Sequence, residues 1–171
     1  MGKQANTGTA RTMKPPGLIL IWLTLIPALI LSIVPLPEWA RPYRPEWVSL
    51  VLIYWCIALP HRIGIGTGFS LGILLDSLTG TLFGQHALSL SLLACLSQIF
   101  HAQLRVMPLG QQAWAILLLL TIGHTLNQLI TGATSRLSFE PGYWWIPIIS
   151  ALLWPWIFAT LRDLRRRYHI R

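Results

Sequence analysis

The sequence predicts an all-α, polytopic membrane protein with six transmembrane helices, the second of them short. Three observations carry this. Of 171 residues, 54% are hydrophobic and only 11% are charged, whereas a soluble domain usually carries about 25% charged residues. The charges gather at the chain ends and in short loops, leaving uncharged runs long enough to cross a bilayer. Nine tryptophans fit the same class, because indole rings favour the membrane interface. A net charge of +8 would point to nucleic acid in a soluble protein. Here it fits cations facing the cytoplasm and anionic lipid, and no nucleic-acid partner is expected.

The apolar segments lie at 17–36, 46–60, 63–83, 85–104, 112–134 and 142–161. The first is too long for a signal-peptide core and no A-x-A site follows it, so it is expected to stay as an anchor, kinked at Pro27. The second has 15 residues, a rise of about 22 Å against a hydrocarbon core of about 30 Å. It either spans thinned lipid or re-enters. In the last segment Pro155 is expected to break the helix near its inner half, and Pro147 to do the same further out, each removing a helix donor and freeing a carbonyl. The chain thus divides into a basic N-terminal segment (1–16), a six-helix membrane domain (17–161) and a basic tail (162–171). No loop is large enough to fold as a soluble domain.

Charge sets the orientation. With six crossings, Lys3, Arg11, Lys14, Arg62, Arg105, Arg162, Arg165, Arg166, Arg167 and Arg171 share one side, and Arg41, Arg44 and Arg136 the other. The positive-inside rule then places both termini in the cytoplasm. Trp39, Trp47, Trp144 and Trp145 fall near the outer interface, and Trp114 near the inner one. The Pro60-His61-Arg62 turn and the Arg165-Arg166-Arg167 tail face the cytoplasm, where they anchor topology and could dock anionic lipid or a cytoplasmic partner.

Along the third segment and just past its end glycine recurs at every fourth position, at Gly64, Gly68, Gly72, Gly80 and Gly84, with Asp76 in the remaining slot. Such spacing lines one helix ridge, and a ridge of hydrogens admits another backbone closely. The ridge drifts by about 40° per step, so Gly68, Gly72 and Asp76 carry most weight, with Gly80 beyond them. These are the candidate helix-packing or partner contacts. An acid at that depth costs about 2.5–3.5 kcal/mol to insert, so Asp76 should face protein. It reads as a helix clamp, as a transport group, or as a carboxyl satisfied locally by Ser70, Ser77 or Thr79. A clamp that needs only hydrogen bonds should tolerate Asp76→Asn.

His124, Asn127 and Gln128 form an intramembrane polar patch in the fifth segment, and Gln98 and His101 a second pair in the fourth. Interhelical hydrogen bonding is the plain reading, and a ligand pocket the sharper one. Gly68 to Gly72 matches G-x-S-x-G, but a nucleophile elbow needs a strand-to-helix turn that a span does not supply. Its Ser70 would also need His61, His86 or His124 within reach. No catalytic residue, cofactor or metal site is expected, and Cys56 and Cys95, both in apolar runs, read as small apolar residues.

The runs RPEWVSLVLIYWCIALPHR (44–62), GTGFSLGILLDSLTGTLFGQHAL (66–88) and LLWPWIFATLR (152–162) closely resemble the MreD family of bacterial rod shape-determining proteins, of proteobacterial type. The likeness covers about 18–168, with Gly64 where the family would carry a polar residue. It implies an inner-membrane member of the cell-elongation machinery, with no catalytic residues to carry over. It also implies a six-helix fold similar to the substrate-binding components of vitamin transporters. The implied partners are an MreC-like single-span protein, bound directly, and in the same assembly an MreB filament, a RodA-type glycosyltransferase and its transpeptidase partner. The expected function is a non-enzymatic scaffold that helps organise lateral peptidoglycan synthesis. The rival is a small-molecule binder or transporter with a mid-membrane pocket around Asp76, His124 and Gln128.

Overall fold

The computed structural model describes residues 16–134 and 141–168. The described residues are all helical or turn, with seven α-helices: α1 (Pro16–Ile33), α2 (Trp47–Ala58), α3 (Ile65–Thr79), α4 (Gln85–Ile99), α5 (His101–Val106), α6 (Leu109–Thr134) and α7 (Trp145–Arg167). Short 3₁₀ turns run over Glu38–Tyr43 and Pro141–Trp144. The basic N-terminal segment with Lys3, Arg11 and Lys14, together with Arg136 and Arg171, lies outside the described residues. By length and apolarity α6 and α7 can cross a membrane, while α1, α2 and α3 are shorter apolar helices.

The short second segment is the centre of the bundle. Every residue of α2 from Val48 to Ala58 is buried. A helix apolar on all sides must be enclosed by protein, and α1, α4, α5 and α7 pack around it. Its 12 residues are therefore matched to neighbouring helices rather than to lipid thickness. Trp55, fully buried, donates from Nε1 to the Thr24 hydroxyl of α1 at 2.8 Å. Tyr54 meets Phe158 of α7 edge to face, with ring centroids 5.6 Å apart.

Two turns fix the two ends of α2. At its start, the Glu46 N–H donates to the Ser150 hydroxyl of α7 at 2.9 Å. At its end, Arg105 Nη2 donates to the Ile57 and Ala58 carbonyls at 2.8 and 3.0 Å, a cation placed on the negative pole of the helix. Gln98 Nε2 donates to the Pro60 and Ile63 carbonyls at 2.7 and 3.1 Å. A Cβ on Gly64 would run into that Gln98 amide, so this turn uses glycine for clearance. His61 and Arg62 are exposed at the same turn.

Several boundaries differ from the sequence expectation. The fourth segment is two helices, broken at Phe100, with the His101 ring against the Gln98 carbonyl at 2.6 Å. The third ends at Thr79, because Gly80 takes a left-handed conformation (φ 66°). Pro155 does not break α7, which runs on to Arg167, so the first residues of the basic tail are helical. Pro147 lies in the first turn of α7, where a missing N–H costs nothing. Arg165 reaches the Tyr54 hydroxyl, which ties one tail arginine into the bundle, while Arg166 and Arg167 are exposed.

Trp39, Trp144 and Trp145 are exposed where the outer interface was expected, Trp114 is exposed in the opposite half of α6, and Trp47 is half-buried.

Candidate functional site

Besides the Gln98–Arg105 cluster described above, polar residues of the membrane domain collect at the opposite end of the bundle, where α1 and α3 finish and α2, α4 and α7 begin. Asp76 is its deepest member, with no exposed surface. Oδ2 accepts from the Gly84 N–H at 2.8 Å and the Ala87 N–H at 3.4 Å, and Oδ1 from the His86 N–H at 2.9 Å. The Thr81 hydroxyl adds a bond at 3.1 Å, and His86 Nδ1 stands 2.8 Å from Oδ1.

The first N–H groups of a helix lack intrahelical partners, and a cap residue normally supplies the acceptor. Gly84, at the N-cap of α4, has no side chain to do so. Asp76 caps α4 from α3, and its negative charge meets the positive pole of that helix. The carboxylate thus closes the α3–α4 hairpin. Its partners are not Ser70, Ser77 or Thr79, whose hydroxyls donate to carbonyls of their own helix at Gly66, Ile73 and Leu75. Ser70 is exposed, and its hydroxyl is spent on the Gly66 carbonyl rather than on a histidine.

The glycine ridge serves the same hairpin. A Cβ on Gly72 would fall inside the Ala87 backbone, and one on Gly68 would lie 2.7 Å from the Leu90 carbonyl oxygen. Helix α4 therefore occupies the ridge, for which the single span of an MreC-like partner was the leading expected occupant. Gly80 lies past the helix end, where an added Cβ would meet nothing within 4 Å. Its role is the left-handed turn rather than packing.

Above the hairpin lies a cavity of about 750 Å³, lined by residues of α1, α2, α3, α4, α6 and α7 and by the loop before α2. His124, Asn127 and Gln128 all face it, so the predicted polar patch is one wall. Asp76 does not line it. The pocket expected around Asp76 forms beside it, and His86, held by Asp76, is the residue that reaches the cavity. Next to His124, at the start of α2, Glu46 Oε1 stands 3.1 Å from His124 Nδ1, while Oε2 accepts from the Ser49 hydroxyl at 2.8 Å. Gln85 Nε2 donates to the Thr131 hydroxyl at 2.9 Å, joining α4 to α6.

Arg44 completes the rim. Its Nη2 donates to the Leu31 and Val34 carbonyls at 3.2 and 3.1 Å, capping the end of α1. Partial desolvation lowers its pKa from the ordinary arginine value, and the guanidinium stays charged in protein surroundings. Among the described residues no group of three or more metal-ligating side chains comes together. Cys56 and Cys95 are free.

Residues 13–164 match the family model described as rod shape-determining protein MreD. The chain belongs to the MreD family. It is 32% identical over 157 residues to the rod shape-determining protein MreD of Haemophilus influenzae, an alignment that covers 87% of this chain and 94% of that protein. No solved structure matches the chain. As an MreD-family protein it is a rod shape-determining membrane protein.

Two members of this site escape a reading by apolar runs. Glu46 reads only as the edge of the second segment, and Glu-x-x-Ser is the reverse of a capping box. His86 lies ten positions from Asp76. The pair of glycines between them, Gly80 and Gly84, both with positive φ, is the signal that the chain reverses there and brings the two together.

Proposed function

We propose that this chain is a non-enzymatic integral membrane scaffold of the cell-elongation machinery, crossing the inner membrane six times with both termini in the cytoplasm. In this reading α1, α2, α3, α6 and α7 are crossings, α4 with α5 is the sixth, and the cavity opens on the outer side. The cation bias across the loops supports that orientation. The shared fold with substrate-binding components of vitamin transporters rests on the family resemblance alone.

The observation that carries the scaffold reading is the use of Asp76. The costliest polar group of the membrane domain is consumed within the chain as a helix cap, so it stiffens a hairpin instead of moving a proton or a substrate. What the bundle offers outward is apolar helix surface, such as Trp22, Ile26 and Ile30 on α1 and Phe69 and Ile73 on α3. Surfaces of this kind suit a single-span, MreC-like partner, bound by packing within the bilayer. The MreB filament, the RodA-type glycosyltransferase and its transpeptidase would join through that assembly. The basic end of α7 would meet anionic lipid.

The test is purification of the tagged protein from native membranes in mild detergent, with photo-crosslinkers at Ile26 and Phe69 and identification of companions by mass spectrometry. Stoichiometric recovery of a single-span protein crosslinked from one of these positions is the expected result. Recovery of the chain alone, or with an ATP-driven transport module, would overturn the reading.

A further inference from the structure

We propose that the cavity above the α3–α4 hairpin is a binding site for a neutral, hydroxyl-rich ring, of the kind a glycoside carries. The inference goes beyond the scaffold reading and is independent of it.

Size admits a ligand, since about 750 Å³ lies within the range of roughly 300–1,000 Å³ common to small-molecule sites. The wall then supplies unused hydrogen-bonding atoms. His124 is only 7% exposed, and its Nε2 has no partner. Asn127 Oδ1 is likewise buried and unpartnered. A buried polar atom without a partner is costly, and both residues line the cavity. With Glu46 accepting from Nδ1–H, Nε2 is an acceptor on a neutral ring and a donor on a protonated one. The Asn127 amide can present either an acceptor or a donor. A hydroxyl both donates and accepts, so it satisfies either face, whereas an ammonium group serves acceptors only.

Charge favours no simple ion. Arg44 and Glu46 both line the cavity, one charge of each sign. A simple anion would meet Glu46 as well as Arg44, and a simple cation Arg44 as well as Glu46. Leu36, Leu75, Leu90 and Ile146 supply an aliphatic wall for the C–H faces of a ring. Donor-and-acceptor groups on one side and C–H surface on the other describe a sugar ring, either free or as the head group of a lipid.

The test uses the whole protein, extracted without sugar-based detergent and placed in phosphatidylethanolamine–phosphatidylglycerol nanodiscs. Saturation-transfer NMR is recorded with methyl and octyl glycosides of glucose, galactose and N-acetylglucosamine, with ethanolamine and inorganic phosphate as charged probes and empty nanodiscs as the blank. Saturable binding of at least one glycoside is expected. It should weaken about tenfold or more in Asn127→Leu and in His124→Phe, as sites built on hydrogen bonds do. Gln128→Leu provides a third variant should either of these lower the melting temperature markedly. Binding of octyl but not methyl glycosides assigns a lipid-borne ring, and binding of both a free one. No saturable signal with any glycoside, binding unchanged in the folded variants, or preference for ethanolamine or phosphate would overturn the proposal.

Discussion

The carboxylate of Asp76 lies 2.9 Å from the backbone N–H of His86, the second residue of the next helix. An acid from one helix thereby completes the start of its neighbour. Every backbone group and the hydroxyl around this carboxylate is a donor, and this fixes what can replace it.

Asp76→Asn is expected to destabilise the protein, contrary to the expectation for a simple hydrogen-bonding clamp. The amide would turn an NH₂ group toward N–H donors, losing one acceptor and the charge. The loss should be about 2–4 kcal/mol, read as a fall in melting temperature in detergent. Asp76→Glu keeps the acceptors but adds a methylene in a space with no exposed surface, and should fall between Asn and wild type. Stability of Asp76→Asn equal to wild type would refute the cap.

Glycines on α3 should rank by what faces them. Gly72→Ala forces a methyl group into the Ala87 backbone, which cannot give way as a side chain can. It should cost more than Gly68→Ala, and both should lie at or above the range of about 1–3 kcal/mol for overpacking. Gly66→Ala meets nothing within 4 Å and should be neutral, or stabilising by up to about 1 kcal/mol through helix propensity. Thermal melts of the three variants test the order.

At the other end of the bundle, Arg105→Ala should cost about 1–3 kcal/mol by leaving the Ile57 and Ala58 carbonyls without their charged donor. Gln98→Ala should add to this less than additively, since both residues hold the same turn. A double-mutant cycle on melting data gives the coupling, and strict additivity would show that the two contacts act separately.

Gly80→Ala and Gly84→Ala should each cost about 1–2 kcal/mol, because both positions hold positive φ. Neither has a neighbour for the added methyl to strike. Asparagine, which tolerates the left-handed region, should recover part of the loss at Gly80. Equal effects of Ala and Asn would assign the loss to something other than backbone conformation.

The helices themselves were legible because apolar runs and charge gaps report burial directly. Gly68 and Gly72 were legible as a close-approach surface, since their spacing specifies a ridge. What occupies that ridge was not, because the same small residues fit a neighbouring helix or a partner, and only the Gly80–Gly84 reversal selects α4. Fourth-residue spacing also joined Gly80 to the ridge, although a glycine that ends a helix and one that packs it look alike in sequence. The break at Phe100 carries no glycine or proline signal; it coincides with side chains, Gln98 and Arg105, that bond to a turn about forty residues earlier. His124, Asn127 and Gln128 announced a polar patch, but Glu46, the partner of His124, stood 78 positions away, beyond any local pattern.

The enclosure of α2 constrains how the chain can be assembled. It is synthesised before α4, α5 and α7, which cover it, and at 12 residues it rises only about 18 Å. Lipid alone is a poor host for so short a helix. The segment that ends as the most sheltered part of the molecule is therefore the least self-sufficient at birth. In the proposed six-crossing topology, membrane insertion and tertiary folding are therefore not separate stages: later helices must arrive before the earlier one is securely housed.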